Sequence, residues 1–142
     1  MALERVQNYA TGVHMSVFTD SIASHLEFLG YSIEPTEDER FHARHGSKPN
    51  FLAREFRGGC LITAWWDVNE AGADDREGLL EAVNRMNAGA AVARYYIDSD
   101  NDFAAEAYYQ SPYDRVTFGQ FMDLWDHDFA NVLEAGMNSF LS

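Results

Sequence analysis

Phe118, Phe121, Met122, Trp125, Phe129, Val132, Leu133, Met137, Phe140 and Leu141 fall on one broad face of a helix that runs nearly to the C-terminus. A stripe so wide and so aromatic needs an equally broad apolar surface to lie on, which a sheet supplies. Asp123, Asp126, Asn131 and Glu134 fall outside the stripe. Thr117 is the expected cap, with Gln120 as its reciprocal partner and Val116 and Phe121 as a flanking hydrophobic staple. Just upstream, aromatic strands at 92–98 and 102–110 are joined by an acidic turn, Asp98-Ser99-Asp100-Asn101-Asp102, and Pro112 ends the pair. Before them Leu79, Leu80, Val83 and Met86 mark a shorter helix. Asp74 or Asp75 opens it, Glu77 stands near the capping-box position, and Gly89 closes it.

The first half is simpler. Residues 1–14 show no clear period and read as an arm or an added strand, followed by a single domain over 15–142. Ser16 can cap a helix whose apolar face is Met15, Phe18, Ile22, Leu26 and Leu29. Gly30 ends it, and Tyr31 can fold back on Leu26. Strands are expected at 41–44, 51–56 and 60–68, with turns at 45–50 and 57–59. Loops this short connect antiparallel strands, because parallel ones need long crossovers. The fold class is therefore α+β, a twisted antiparallel sheet of five strands packed against helices in the order α-βββ-α-ββ-α.

Composition narrows the functions. Of 142 residues, 46% are hydrophobic and 14% aromatic, enough for a true core. The net charge of −13 repels phosphate backbones and anionic lipid, so nucleic-acid and membrane partners are not expected. A basic or amphipathic partner is the more natural one. The one cysteine, Cys60, excludes an internal disulfide and lies in an apolar run as a core residue. No stretch reaches the roughly 18–20 apolar residues of a membrane span, and the N-terminus lacks a signal-peptide layout. A cytoplasmic location is expected.

The order of elements, together with Val83-Asn84-Arg85-Met86-Asn87 and the small-residue step Ala88-Gly89-Ala90-Ala91-Val92-Ala93, resembles the YbjN-like family, which shares the type III secretion chaperone-like fold. That family ends its middle helix in Asn-x-x-Asn, here Asn84 and Asn87, then enters a strand, an acidic turn, a second strand and a helix. The resemblance runs from about Val17 to Leu133 and leaves residues 1–14 unexplained. It implies a bacterial protein without enzyme activity. Secretion chaperones of this fold are small acidic homodimers that hold a partner's segment in extended form along apolar grooves. The YbjN branch is labelled a sensory transduction regulator. For Asn84 and Asn87 we expect a structural task, since Asn bonds backbone at helix ends.

The aromatic pairs Trp65-Trp66, Tyr95-Tyr96 and Tyr108-Tyr109 are the candidate binding residues. Neighbours on a strand face opposite sides, so each pair puts one ring on each face of the sheet. A partner segment would bury apolar anchors there, with an acidic rim selecting basic flanks. The alternative is a small-molecule sensor with a pocket between sheet and C-terminal helix, lined by Trp125 and Met122. Asp98, Asp100 and Asp102 start like a calcium loop, but Phe103 and Tyr109 stand where glycine and glutamate belong, so a solvated turn is expected. Asp123 and His127 share a helix face yet give only two ligands. No nucleophile elbow, phosphate loop or Cys-x-x-Cys pair is present, and no catalytic residue, metal or cofactor is assigned.

Overall fold

A computed structural model describes residues 7–8, 12–134 and 136–142 of the chain. Its strands are β1 (Gln7–Asn8), β2 (His14–Met15), β3 (Ser32–Glu37), β4 (Arg40–Arg44), β5 (Phe51–Phe56), β6 (Gly59–Trp66), β7 (Arg94–Ile97) and β8 (Phe103–Tyr109). Its helices are α1 (Val17–Phe28), α2 (Glu70–Asp74), α3 (Arg76–Gly89) and α4 (Arg115–Glu134). Six strands form an antiparallel sheet in the order β3-β4-β5-β6-β8-β7, and β1 and β2 make a separate pair. The sheet thus has six strands rather than five. The extra one, β3, is a polar edge strand with Pro35 and a bulge between Pro35 and Glu37, so it shows no apolar alternation to read. The five-residue helix α2, capped by Asn69, is likewise too short to show a period. The chain divides into two compact units: Met1–Ile62 with Tyr108–Gln120, and Thr63–Ala107 with Phe121–Ser142.

In unit 1, Ser16 caps α1 by accepting the Thr19 N–H. Gly30, at φ +97°, takes the left-handed conformation that ends the helix, and the Tyr31 N–H donates to the Leu26 carbonyl at 3.0 Å. Ile22 and Leu26 are buried with Met15, while Phe18 and Leu29 sit at the margin. Phe41, Ala43, Phe51 and Ala53 alternate inward on β4 and β5. The helix cap of α4 is Asp114, not Thr117: its carboxylate accepts the Thr117 N–H at 2.9 Å. Those bonds hold the Asp114 carboxyl below its ordinary range. Thr117 instead meets the Tyr109 hydroxyl at 2.9 Å. Val116 is 65% exposed, so no hydrophobic staple forms.

In unit 2, Asp75 caps α3 through the Gly78 N–H. Gly78 occupies the third helical position, so Glu77 cannot complete a capping box. Leu79, Val83 and Met86 are buried, and Leu80 falls off their face. Trp125, Met122 and Met137 are core residues, and Phe129 packs edge-on against Trp125 at 4.7 Å. Val132 and Leu133 lie outside the described side chains. The stripe does not continue as one helix: at Gly136 the chain turns, and a 3-10 turn spans Met137–Phe140. Beyond it, Leu141 pairs with Val68, and the Asn69 side chain donates to the carbonyls of Ser139 and Leu141.

The step between α3 and β7 is held by one acid. Asp128, fully buried, accepts the backbone N–H groups of Ala91, Val92 and Ala93 at 2.8, 2.9 and 2.8 Å. The Tyr95 hydroxyl donates to the carbonyl of Asp128 at 3.0 Å. Replacing Asp128 by Ala removes the acceptor of three backbone donors, of which the Ala93 N–H is buried, so it should cost about 2–4 kcal/mol in urea unfolding. A loss under about 1 kcal/mol would mean those donors find other partners.

Candidate functional site

Strand alternation separates the three aromatic pairs. Trp66 packs between Phe103 and Phe129, both at 5.5 Å. Tyr95 stacks on Phe103 at 5.7 Å, and Tyr109 meets Phe118 edge-on at 5.0 Å. Tyr95 and Tyr109 are core residues, and Trp66 is half-buried on the same inward face. Their neighbours remain accessible: Trp65 is 47% exposed, Tyr96 37% and Tyr108 39%.

Unit 2 carries Trp65 and Tyr96. Between their strands lies Glu106, almost wholly buried. It accepts from Thr63 Oγ1 at 3.0 Å and from Arg94 Nε and Nη2 at 3.0 and 2.8 Å. The forked Arg94 contact compensates the buried charge. Burial, then the Glu106 charge and hydrogen bond, raise the Tyr96 hydroxyl above the usual phenol range. Trp65 and Tyr96 therefore flank a neutralised ion pair. Unit 1 carries Tyr108, whose hydroxyl donates to the Arg57 carbonyl at 3.0 Å. Tyr108 lies so close over Gly59 that a Cβ there would meet its hydroxyl at 2.5 Å and its ring at 2.6 Å. Phe56 meets Tyr108 edge-on at 6.3 Å. Over the Phe56 ring lie the guanidiniums of Arg54 and Arg57, and the Glu55 carboxylate accepts the Gly58 N–H in the same turn.

Asn87 and Asn84 part company. Asn87 Oδ1 accepts the Tyr95 N–H and its Nδ2 donates to the Tyr95 carbonyl, both at 2.8 Å. Because β7 ends the sheet, one side chain occupies two backbone groups that an open edge would present. Asn84 is exposed, beside a surface cleft with Leu80 and Arg85.

The other candidates fall into place. Asp98 Oδ1 accepts the N–H groups of Asp100 and Asp102, both at 2.9 Å, which is a turn's own hydrogen bonding. Asp67, Asp100 and Asp102 border a cleft of about 490 Å³ together with Arg76. Desolvation first, then Asp98, Asp67 and Asp100, raise the Asp102 carboxyl. Among the described residues no three such groups converge as a metal site. Asp123 and His127 are both exposed. Trp125 and Met122 are packed in the core, and neither borders any of these clefts. A cleft of about 300 Å³ in unit 1 is lined by Ser21, Ser24, His25, Phe28, Tyr113 and Arg115. There His25 Nδ1 and the Tyr113 hydroxyl are hydrogen-bonded at 2.7 Å. Periodicity gives no sign of this cleft, because Ser21, Ser24, His25 and Phe28 lie off the apolar face set by Phe18, Ile22, Leu26 and Leu29.

A family model described as "Putative bacterial sensory transduction regulator", YbjN, matches residues 19–127. The chain belongs to the YbjN family. Its structure is similar to that of YbjN, a putative transcription regulator from E. coli, with a TM-score of 0.66 and 17% identity over 87% of this chain and 94% of that one. It is also similar to a chain of the heterodimeric ExoU–SpcU complex from the type III secretion system of Pseudomonas aeruginosa. There the TM-score is 0.58 and the identity 12%, over 79% of this chain and 94% of that one. No curated protein matches the sequence significantly. The YbjN match takes in the exposed rings and Asn87, and it ends one residue short of Asp128. Among the described residues no helix is long and apolar enough to cross a membrane.

Two groups give solution tests. Burial pushes the Cys60 thiol up to about 12, so a thiol reagent should label it only after unfolding. Burial, and next the Arg115 charge, lower His25 from its ordinary 6.5. A lowered histidine resists protonation in the folded state, so its contribution is full above 6.5 and is lost as pH falls toward its own lower value. Urea unfolding from about pH 7 to about pH 5 should show that decline, and His25→Gln should flatten it. An unchanged slope in the variant would assign the decline elsewhere.

Proposed function

We propose that this YbjN protein is a non-enzymatic binding module, chaperone-like or regulatory, that holds a segment of another protein against exposed aromatic surface of its sheet. One observation carries the reading. Each of three adjacent aromatic pairs turns one ring to the inward face and leaves the other, Trp65, Tyr96 or Tyr108, more than a third exposed. Rings held on rigid strands lose little freedom when a partner covers them, so they make good anchors. The fold neighbour in the ExoU–SpcU heterodimer supports a protein partner, and the family description names a regulator rather than a reaction. A homodimer, in which a second copy covers the same rings, is part of this proposal.

A photo-crosslinking residue at position 96, used in the source organism, tests the reading. The expected result is one protein crosslinked near equal stoichiometry and lost in Trp65→Ala, with an unchanged melting midpoint. If position 96 traps nothing beyond what exposed position 77 on α3 traps, the reading fails. Sedimentation of the wild type and Tyr96→Ser checks the dimer: a monomer at tens of micromolar would remove it.

A further inference from the structure

Basic residues are scarce in this chain, 10 against 23 acidic, yet some are gathered together. Arg40 and Arg54 stand directly opposite one another across β4 and β5. Phe56 follows two residues after Arg54, on the same face of β5. Arg54 Cζ lies 4.9 Å from the Phe56 ring centre and Arg57 Cζ 5.3 Å, so two guanidiniums share one ring. Tyr108 closes the group against the Phe56 edge. All five residues belong to unit 1. Arg44 pairs with Glu34 and Arg94 with Glu106, but among the described residues Arg40, Arg54 and Arg57 make no ion pair.

Three features show that this cluster is held against its own tendencies. Like charges directly opposed on neighbouring strands repel. A chain with so many carboxylates has the means to pair three arginines, yet none of the described carboxylates does so. Arg57 also has φ +50°, followed by Gly58 at +83°, in a two-residue hairpin turn. Such a turn favours Asn or Gly at the first position, so an arginine there is strained. The turn nevertheless presents Arg57 beside Phe56, and the Tyr108 hydroxyl fastens its carbonyl.

We propose that this face of unit 1 docks an acidic segment of a partner protein. Carboxylates on the segment engage Arg40, Arg54 and Arg57, and an apolar side chain lies against Phe56 and Tyr108. Guanidinium forks match carboxylates in geometry as well as charge. The proposal rests on the binding-module reading and gives the partner its charge, opposite to the basic flanks that the net charge of −13 suggests. That same net charge disfavours nucleic acid, whose phosphates meet the long-range field first.

Fluorescence anisotropy tests it, with three labelled probes of equal length: an Asp/Glu peptide carrying spaced Leu and Phe, its Lys counterpart and a single-stranded DNA. The acidic peptide alone should bind, more weakly as salt rises. Arg54→Glu should weaken it about tenfold or more, while Arg76→Glu in unit 2 should change it by less than about twofold. Arg57→Asn should raise the melting midpoint and still weaken binding, which separates docking from folding. Absence of acidic-peptide binding, equal losses in Arg54→Glu and Arg76→Glu, or a preference for DNA would each overturn the proposal. So would self-association abolished by Arg54→Glu, which would make a second copy the occupant. If the protein crosslinked at position 96 stays bound to an Arg54→Glu, Arg57→Glu variant, this inference fails and the binding-module reading stands. If position 96 traps no protein at all, the broader reading fails.

Discussion

One carboxylate decides how unit 2 is put together. Asp128 projects from α4, fully buried itself, and takes three successive N–H groups from residues 91–93. Those small residues have no regular structure of their own, so their donors need an acceptor supplied from elsewhere. With the step fixed, β7 begins at Arg94, and the alternation along it follows. Tyr95 turns inward and gives its hydroxyl to the Asp128 carbonyl, while Arg94 and Tyr96 turn outward to meet Glu106. The outer surface of this unit therefore depends on a buried acid that never reaches it.

That dependence explains what could be read from the residues and what could not. The Ser16 cap, the Gly30 stop and the hairpin about the acidic turn rest on local chemistry and lie where the sequence places them, and of Asp74 and Asp75 the second is the cap. Alternation separates Trp65 from Trp66 but cannot say which ring goes inward. The strand β3 escapes notice because an edge strand with Pro35 needs no apolar face. Thr117 with Gln120 makes a plausible cap, yet Asp114 offers an acceptor one turn earlier, and the helix starts there. Asp128 looks no different in sequence from Asp123 or Asp126, all off the apolar stripe. Only the approach of residues 91–93 distinguishes it.

The exposed rings of the two units sit in different electrical surroundings. Beside Tyr96, the arginine and the glutamate are spent on each other. Beside Tyr108, the guanidiniums lean on Phe56 and keep their charge. A chain of −13 thus carries one nearly neutral aromatic surface and one cationic one, and net charge alone describes neither. Rings of similar exposure in the two units are therefore suited to different neighbours.

Asn87 has a consequence for kinetics. By satisfying both backbone groups of Tyr95 it plugs one border of the sheet, and Pro35 supplies no N–H at the other. Neither border offers a clean ladder for a visiting strand to zip onto. On the binding-module proposal, a partner would be gripped through side chains rather than through a row of main-chain hydrogen bonds. Release would then require only that a few rings and charges be rehydrated, and a competing molecule could take over the surface one contact at a time.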